Sequence, residues 1–388
     1  MYSVHWSSQD PIRDELIGWI LRLPQGIRGK GFAIARGGRD RLLMVTFPIA
    51  PVEANIKPSQ REIFDKAGEP CQHYGRAPPI NYAEVDAKGM IAYRAPSLLQ
   101  PHRAREAIKD AHDGKIRPLL GYFLGMSCPP VAKVVAQLGY DIVAVDWEHS
   151  SCNVETMTQM VHDIQFMSEG RSHALVRVPG HDHAAIGYAV DAGASIMVPQ
   201  VETVEEAKHV CSAAKFGAIR NGTRSAPPAR LLPGISDIGP DPTKGWHENV
   251  NNQASITIQV ETLQAIHNLD DILTECGDQI DAVWLGTLDA RVSMGLPANG
   301  GMGGPEPEWL EAVALYESTM AKHNKPATGF SMGTIEQMER TAKGKCLVVV
   351  AADLYAIMGN GLEQLGKFRE FWPKQNFKGS YKQLPIKG

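Results

Sequence analysis

Residues 141–151 read DIVAVDWEHSS, an apolar run that stops at Asp146, Glu148 and His149. A run that is apolar at successive positions buries both of its faces, as a strand does in a parallel sheet covered by helices. Seven further runs have this character: LLGYFLGM (119–126), HALVRVP (173–179), SIMVPQV (195–201), SITIQVE (255–261), DAVWLGTLD (281–289), PATGFS (326–331) and CLVVVAAD (346–353). Amphipathic segments such as NVETMTQMVHDIQFMSEG and TVEEAKHVCSAAKFG separate most of them. Eight strand-and-helix units in roughly 260 residues match an α/β fold of the (β/α)8 TIM-barrel type. A doubly wound open sheet is the alternative, but no glycine fingerprint opens the first unit.

The chain before residue 97 has a different texture, with Pro48, Pro51, Pro58, Pro70, Pro78 and Pro79 breaking short apolar runs such as RLLMVTFPIA. The division expected is an irregular or partly disordered extension over 1–96, a barrel catalytic domain over 97–372 and a tail over 373–388. The stretch 216–254, rich in proline and poor in periodicity, is too long for a plain connection and is expected to be a functional or a disordered loop. The net charge of -4 offers no footprint for nucleic acid or an anionic membrane. No stretch reaches the ~18 apolar residues of a membrane span. Six cysteines without a C-x-x-C pair suggest neither a zinc site nor a disulfide framework, and cytoplasmic residence is expected.

In such a barrel the chemistry lies at the C-terminal ends of the strands. There the second run carries Asp146, Glu148 and His149, the third Arg177, the fifth Gln259 and Glu261, and the sixth Asp289. Glu261 and Asp289 come from adjacent strands and either share a divalent ion with oxygen ligands, Mg²⁺ or Mn²⁺, or serve separate salt bridges and caps. His149 is either a satisfied histidine or a base whose tautomer Asp146 fixes, while Glu148 is expected on the opposite side of the strand in a structural role. Arg177 either neutralises these acids or stabilises an oxyanion. No strand ends in lysine, which argues against a Schiff-base aldolase.

The segments VDWEH, VRVP, VPQVETVEEA, IQVET and LGTLDARVSMG, in that order, resemble the HpcH/HpaI class of metal-dependent pyruvate aldolases in the phosphoenolpyruvate/pyruvate barrel superfamily, and especially its macrophomate-synthase-like members. The likeness runs from about residue 100 to about 372, and the first 96 residues lie outside it. The resemblance implies that Glu261 and Asp289 ligate the metal, Mg²⁺ or Mn²⁺ with Co²⁺ also admissible. It implies that His149 and Asp146 are the base dyad, that Arg177 contacts the 2-oxo group, and that Gln259 lines the pocket. Gly286, Thr287 and Leu288 would bind the substrate carboxylate through the turn, and Asp191 would reach a neighbouring subunit's site in a homo-oligomer, trimer or hexamer. The implied activity is a carbon–carbon lyase acting on 4-hydroxy-2-oxo acids through a metal-stabilised pyruvate enolate. Oxaloacetate decarboxylation coupled to a second substrate is the alternative within the class, and an inactive barrel with a binding role is the alternative outside it. The chain departs from the family pattern at Trp147, at Gly286-Thr287-Leu288-Asp289 and at Gly222-Thr223-Arg224-Ser225, all of which bear on the acceptor side.

Overall fold

The computed structural model describes residues 31–37, 41–47, 80–217, 221–227 and 239–371, and the chain divides into two compact units, 1–72 and 73–388. In the first unit, Gly31–Gly37 and Arg41–Phe47 pair as an antiparallel hairpin with Gly37 opposite Arg41. Regular pairing therefore exists within the stretch that reads as irregular. The expected tail 373–388 lies outside the described residues.

In the second unit eight parallel strands close into a barrel. They are β1 Leu119–Leu124, β2 Ile142–Asp146, β3 His173–Arg177, β4 Ser195–Val198, β5 Ile256–Val260, β6 Ala282–Leu285, β7 Ala327–Phe330 and β8 Lys345–Ala352. Each coincides with one of the eight apolar runs, and β8 pairs with β1 to close the ring. The helices are α1 Val85–Lys88, α2 Ala104–His112, α3 Pro129–Val135, α4 Val154–Met167, α5 His183–Asp191, α6 Val204–Ala214, α7 Trp246–Gln253, α8 Leu263–Cys276, α9 Thr287–Ser293, α10 Pro307–Lys322, α11 Ile335–Ala342 and α12 Asp353–Phe371. No helix among the described residues is long and apolar enough to cross a membrane.

Two-residue periodicity explains why the runs are apolar throughout. Ala144, Leu175, Met197, Trp284 and Val349 belong to the cluster that fills the barrel. Their alternates Val143, Val145, Val176, Ile196 and Val283 pack outward against Met157, Val161, Ile164, Ile186 and Ile266 of the helices. Polar caps then hold four of the helix starts: Asn153 caps α4, Asp182 caps α5, Thr262 caps α8, and Thr203 with Glu206 makes a capping box on α6.

Two elements fall where no regular structure is expected. Residues 82–93 form α1 and two flanking 3₁₀ turns, and Val85, Met90 and Tyr93 join the interior cluster with Leu119 and Ile142. The packing unit of the barrel thus starts ahead of residue 97. Inside 216–254, α7 packs Trp246 and Val250 on Phe216, while the Asn251 side chain exchanges hydrogen bonds with the Phe216 main chain.

Candidate active site

Asp146 ends β2 and Arg177 ends β3, as register partners on adjacent strands. Their side chains form a bidentate pair, with Arg177 Nε donating to Asp146 Oδ1 at 2.9 Å and Nη2 donating to Oδ2 at 2.7 Å. Oδ1 also accepts from the backbone amides of Glu148 and His149, at 3.1 and 3.3 Å. An aspartate that takes the amides two and three residues onward folds the chain back on itself. The turn is pinned further by Ser150 Oγ, which donates to the Asp146 carbonyl and accepts from Ser127 Oγ at 2.9 Å.

This turn corrects two expectations. The Asp146 carboxylate holds the main chain of His149 and not its ring, so the predicted Asp146–imidazole dyad is not formed. The His149 side chain is 66% exposed, and its Nε2 lies 3.6 Å from Glu148 Oε2. Glu148 does not point away as strand alternation predicts, because the strand has already ended at Asp146; its carboxylate lies 3.2 Å from Arg177 Nε. Burial raises the Glu148 pKa, opposed by Arg177 and His149 and reinforced by Asp146 and Asp289. Glu148 is the site residue that sequence reasoning misplaced.

Burial works against the Arg177 charge, but Asp146, Glu148 and Glu261 outweigh it and raise the Arg177 pKa. Its guanidinium lies over the Phe123 ring at 5.1 Å. Both Asp146 contacts use the Nε and Nη2 edge, which leaves the Nη1 hydrogens for a ligand.

Gln259 and Glu261 lie two apart at the end of β5 and therefore share its inner face. Gln259 Nε2 donates to Glu261 Oε1 at 3.1 Å, and the Gln200 amide donates to Oε2 at 2.9 Å. Gln200 does so from a left-handed backbone with φ of 52°, a strained conformation for a residue with a side chain. Burial pushes the Glu261 carboxyl up to about 7; the Gln200 amide opposes this, the charges of Asp289 and Glu148 add to it, and Arg177 opposes it. Gly286 caps α9, and a Cβ there would lie 2.5 Å from Glu261 Cγ, so only glycine lets the turn approach this carboxylate. Thr287 and Leu288 open α9, and Asp289 stands exposed in its first turn.

Asp191, the last residue of α5, is absent from its own mouth. Helices run opposite to the strands in this architecture, so the end of α5 lies toward the far face. Asp191 Oδ1 accepts from Arg224 Nε at 3.1 Å, and the buried Arg224 stacks on Phe216 at 4.2 Å.

A divalent ion fits these residues in part. Among the described residues no three His, Cys, Asp or Glu converge as a complete ligand set. Mg²⁺, however, commonly takes one or two carboxylates and fills its remaining positions with water or substrate oxygens. Burial, reinforced by the charges of Asp289 and Glu148, raises the Glu261 pKa to about 7, and Gln259 Oε1 is buried without a hydrogen-bond partner among the described residues. An oxygen-seeking cation relieves both conditions.

The sequence profile of the HpcH/HpaI aldolase/citrate lyase family matches residues 119–324. The chain belongs to that family. A curated 4-hydroxy-2-oxovalerate aldolase of Novosphingobium aromaticivorans is 32% identical over 46% of this chain and 63% of its own length. The 4-hydroxy-2-oxo-heptane-1,7-dioate aldolase of Salmonella dublin is 27% identical over 71% of this chain and 98% of its own. Among solved structures, macrophomate synthase is 30% identical and superposes with a TM-score of 0.67 over 74% of this chain and 95% of its own. As a member of the HpcH/HpaI family, this chain is an enzyme, a carbon–carbon lyase of the aldolase type.

Proposed function

We propose that the barrel mouth cleaves and forms 4-hydroxy-2-oxo acids, with Arg177 holding the 2-oxo oxygen, His149 moving the proton and Glu261 with Asp289 holding a divalent ion. The observation that carries this reading is the fork of Arg177 on Asp146 with Glu148 3.2 Å from the same guanidinium, beside a Glu261 carboxylate held by Gln200 and Gln259 at the end of β5. When bound, the ion supplies Lewis acidity at the carboxylate and 2-oxo oxygens of the substrate.

The side chains do the rest. In the cleavage direction the C4 hydroxyl loses its proton to a base, the C3–C4 bond breaks, and its electron pair moves through C2 onto the 2-oxo oxygen. The Arg177 Nη1 hydrogens, fixed by the fork on Asp146, meet that developing charge without reorganising. C3 then takes a proton, giving pyruvate and an aldehyde. His149 stands in solvent contact at the mouth, and Glu148 is the acid that its ring can pair with. Gln259 orients the Glu261 carboxylate through its amide, while the Gly286–Leu288 turn offers backbone amides at the start of α9 to the substrate carboxylate.

Deuterium exchange into the methyl group of pyruvate, followed by NMR with Mn²⁺ or Mg²⁺ and again with EDTA, tests the reading. Exchange that EDTA abolishes supports it; no exchange with either ion in folded protein overturns it. We further propose cytoplasmic residence and a homo-oligomer in which Asp191 reaches a neighbouring copy; a monomer at micromolar concentration in gel filtration would remove that role.

A further inference from the structure

The mouth is divided in composition. The ends of β2, β3 and β5 and the start of α9 carry Asp146, Glu148, Arg177, Glu261 and Asp289, whereas β1, β6 and β7 present Phe123, Trp284 and Phe330. Phe330 stands edge-to-face on both other rings, with its centroid 5.5 Å from Phe123 at 62° and 5.0 Å from Trp284 at 87°. Phe123 and Trp284 are buried, but Phe330 is 38% exposed, so the cluster presents one ring at the surface. Phe123 joins the two halves, because the Arg177 guanidinium lies over the same ring that Phe330 packs on. The exposed ring is therefore one aromatic contact away from the arginine assigned to the 2-oxo group.

Three polar side chains around this half are engaged elsewhere. The Asp353 carboxylate, at the end of β8, accepts from the amides of Gly125, Met126 and Leu354 at 2.8, 3.1 and 2.7 Å. Ser331 Oγ donates to the Met338 carbonyl at 2.9 Å. Lys345 Nζ donates to the carbonyls of Thr341 and Phe330, on the outer side of β7 where Gly329 leaves it room. Among the described residues the cation at Phe330 is Lys345, already engaged on main-chain carbonyls, so a carboxylate brought against the ring would lose water with no free cation offered by them, whereas an apolar group or ring would gain contact.

We propose that Phe330 is the floor of the acceptor subsite, and that the aldehyde taken up or released carries an uncharged apolar or aromatic substituent. This rests on the aldolase reading above. In the synthetic direction C3 of pyruvate loses a proton to the base and bonds to the aldehyde carbon, whose oxygen takes up a proton; cleavage returns both. The substituent on the aldehyde carbon takes no part in this exchange of protons and electrons, so its surroundings are free to set specificity alone.

The test uses the full chain with Mn²⁺ and pyruvate, and compares addition to benzaldehyde, propanal and succinic semialdehyde. The kcat/KM for benzaldehyde should exceed that for succinic semialdehyde by about tenfold or more, and Phe330→Ala should lower the benzaldehyde-to-propanal ratio by about threefold to tenfold, the worth of one ring contact. Phe330→Arg, which supplies a free cation, should turn the preference toward succinic semialdehyde. Preference for the charged aldehyde in the wild type, or a ratio that Phe330→Ala leaves alone, overturns the proposal. Pyruvate C3 exchange without aldehyde separates the two levels: if it is absent, both readings fall, and if it is present alongside a charged preference, only the acceptor assignment falls.

Discussion

The two ends of the barrel bury polar side chains in opposite ways. At the floor, beneath β3 and β4, His173 accepts from the His102 amide at 3.4 Å and donates through Nε2 to Ser195 Oγ at 2.8 Å, and Ser195 Oγ also accepts from the Ser255 amide. His102 Nε2 bonds the Gly170 carbonyl at 3.1 Å, and the two imidazoles stack at 5.3 Å. Burial keeps both rings neutral, holding His102 at about 4 and His173 well below the usual imidazole range. At the mouth, acids stand among acids, and Glu261 is pushed up to about 7. The two floor histidines are neutral and bonded within the protein, whereas at the mouth Glu148 and Glu261 bear on one another as like charges. Polar burial of the first kind fixes a structure, and of the second kind prepares a reaction.

The largest expected effect tests the mouth directly. Glu261→Gln and Asp289→Asn should each lower pyruvate C3 exchange by about 10²–10³-fold, the worth of one aimed charge in a water-poor site. Mn²⁺ binding, read by calorimetry, should weaken in both. Full binding and exchange in either variant would return these acids to a structural role.

Arg177→Lys comes next. Lysine keeps the charge but loses the fork that Asp146 holds in two places, so kcat/KM for cleavage should fall by about 100-fold, or ~2.7 kcal/mol. A fall of less than threefold would show that charge alone suffices there.

The floor should respond to pH instead. The unfolded chain binds protons at His102 and His173 near pH 6.5 while the folded chain resists them, so stability is complete above 6.5 and falls as pH drops from there toward 4. The loss approaches about 1.4 kcal/mol per pH unit for each histidine. Glu261 acts with the opposite sign, since a folded pKa of about 7 gives stability that is present at low pH and is lost as pH rises through 7. Urea unfolding of wild type and His173→Asn between pH 7.5 and 5 checks this; identical slopes would remove the floor from the account.

What the sequence discloses follows from which interactions are local. The eight strands are legible because burial on both faces leaves an unbroken apolar run, and Arg177, Glu261 and Asp289 are legible as charges at the ends of such runs. The partner of Asp146 is not, because two parallel strands and a side-chain turn select Arg177 over the nearby His149 ring. That same turn cancels the alternation that would have turned Glu148 outward. The left-handed Gln200 gives no signal in VPQVET, and α1 and α7 are too short to show a period. The exposed Phe330 reads as one more apolar residue in PATGFS until its ring partners from β1 and β6 are known.

The smallest predicted effect is the sharpest discriminator, because its sign is unusual. Removing a buried, paired acid normally destabilises a protein, since its partner is left unpaired. Glu148 differs in that Arg177 already holds a bidentate partner in Asp146, while Glu148 adds to the negative charge facing Glu261. Glu148→Gln should therefore lower the Glu261 pKa and stabilise the metal-free protein at pH 8 by about 0.5–1 kcal/mol, by relief of like charge. The same variant should bind Mn²⁺ several-fold more weakly and exchange pyruvate more slowly. A stability gain joined to a functional loss would mark Glu148 as an acid kept at the mouth for its ligand. A stability loss would instead make it a structural partner of Arg177, and the contrast between mouth and floor would narrow to Glu261 and Asp289.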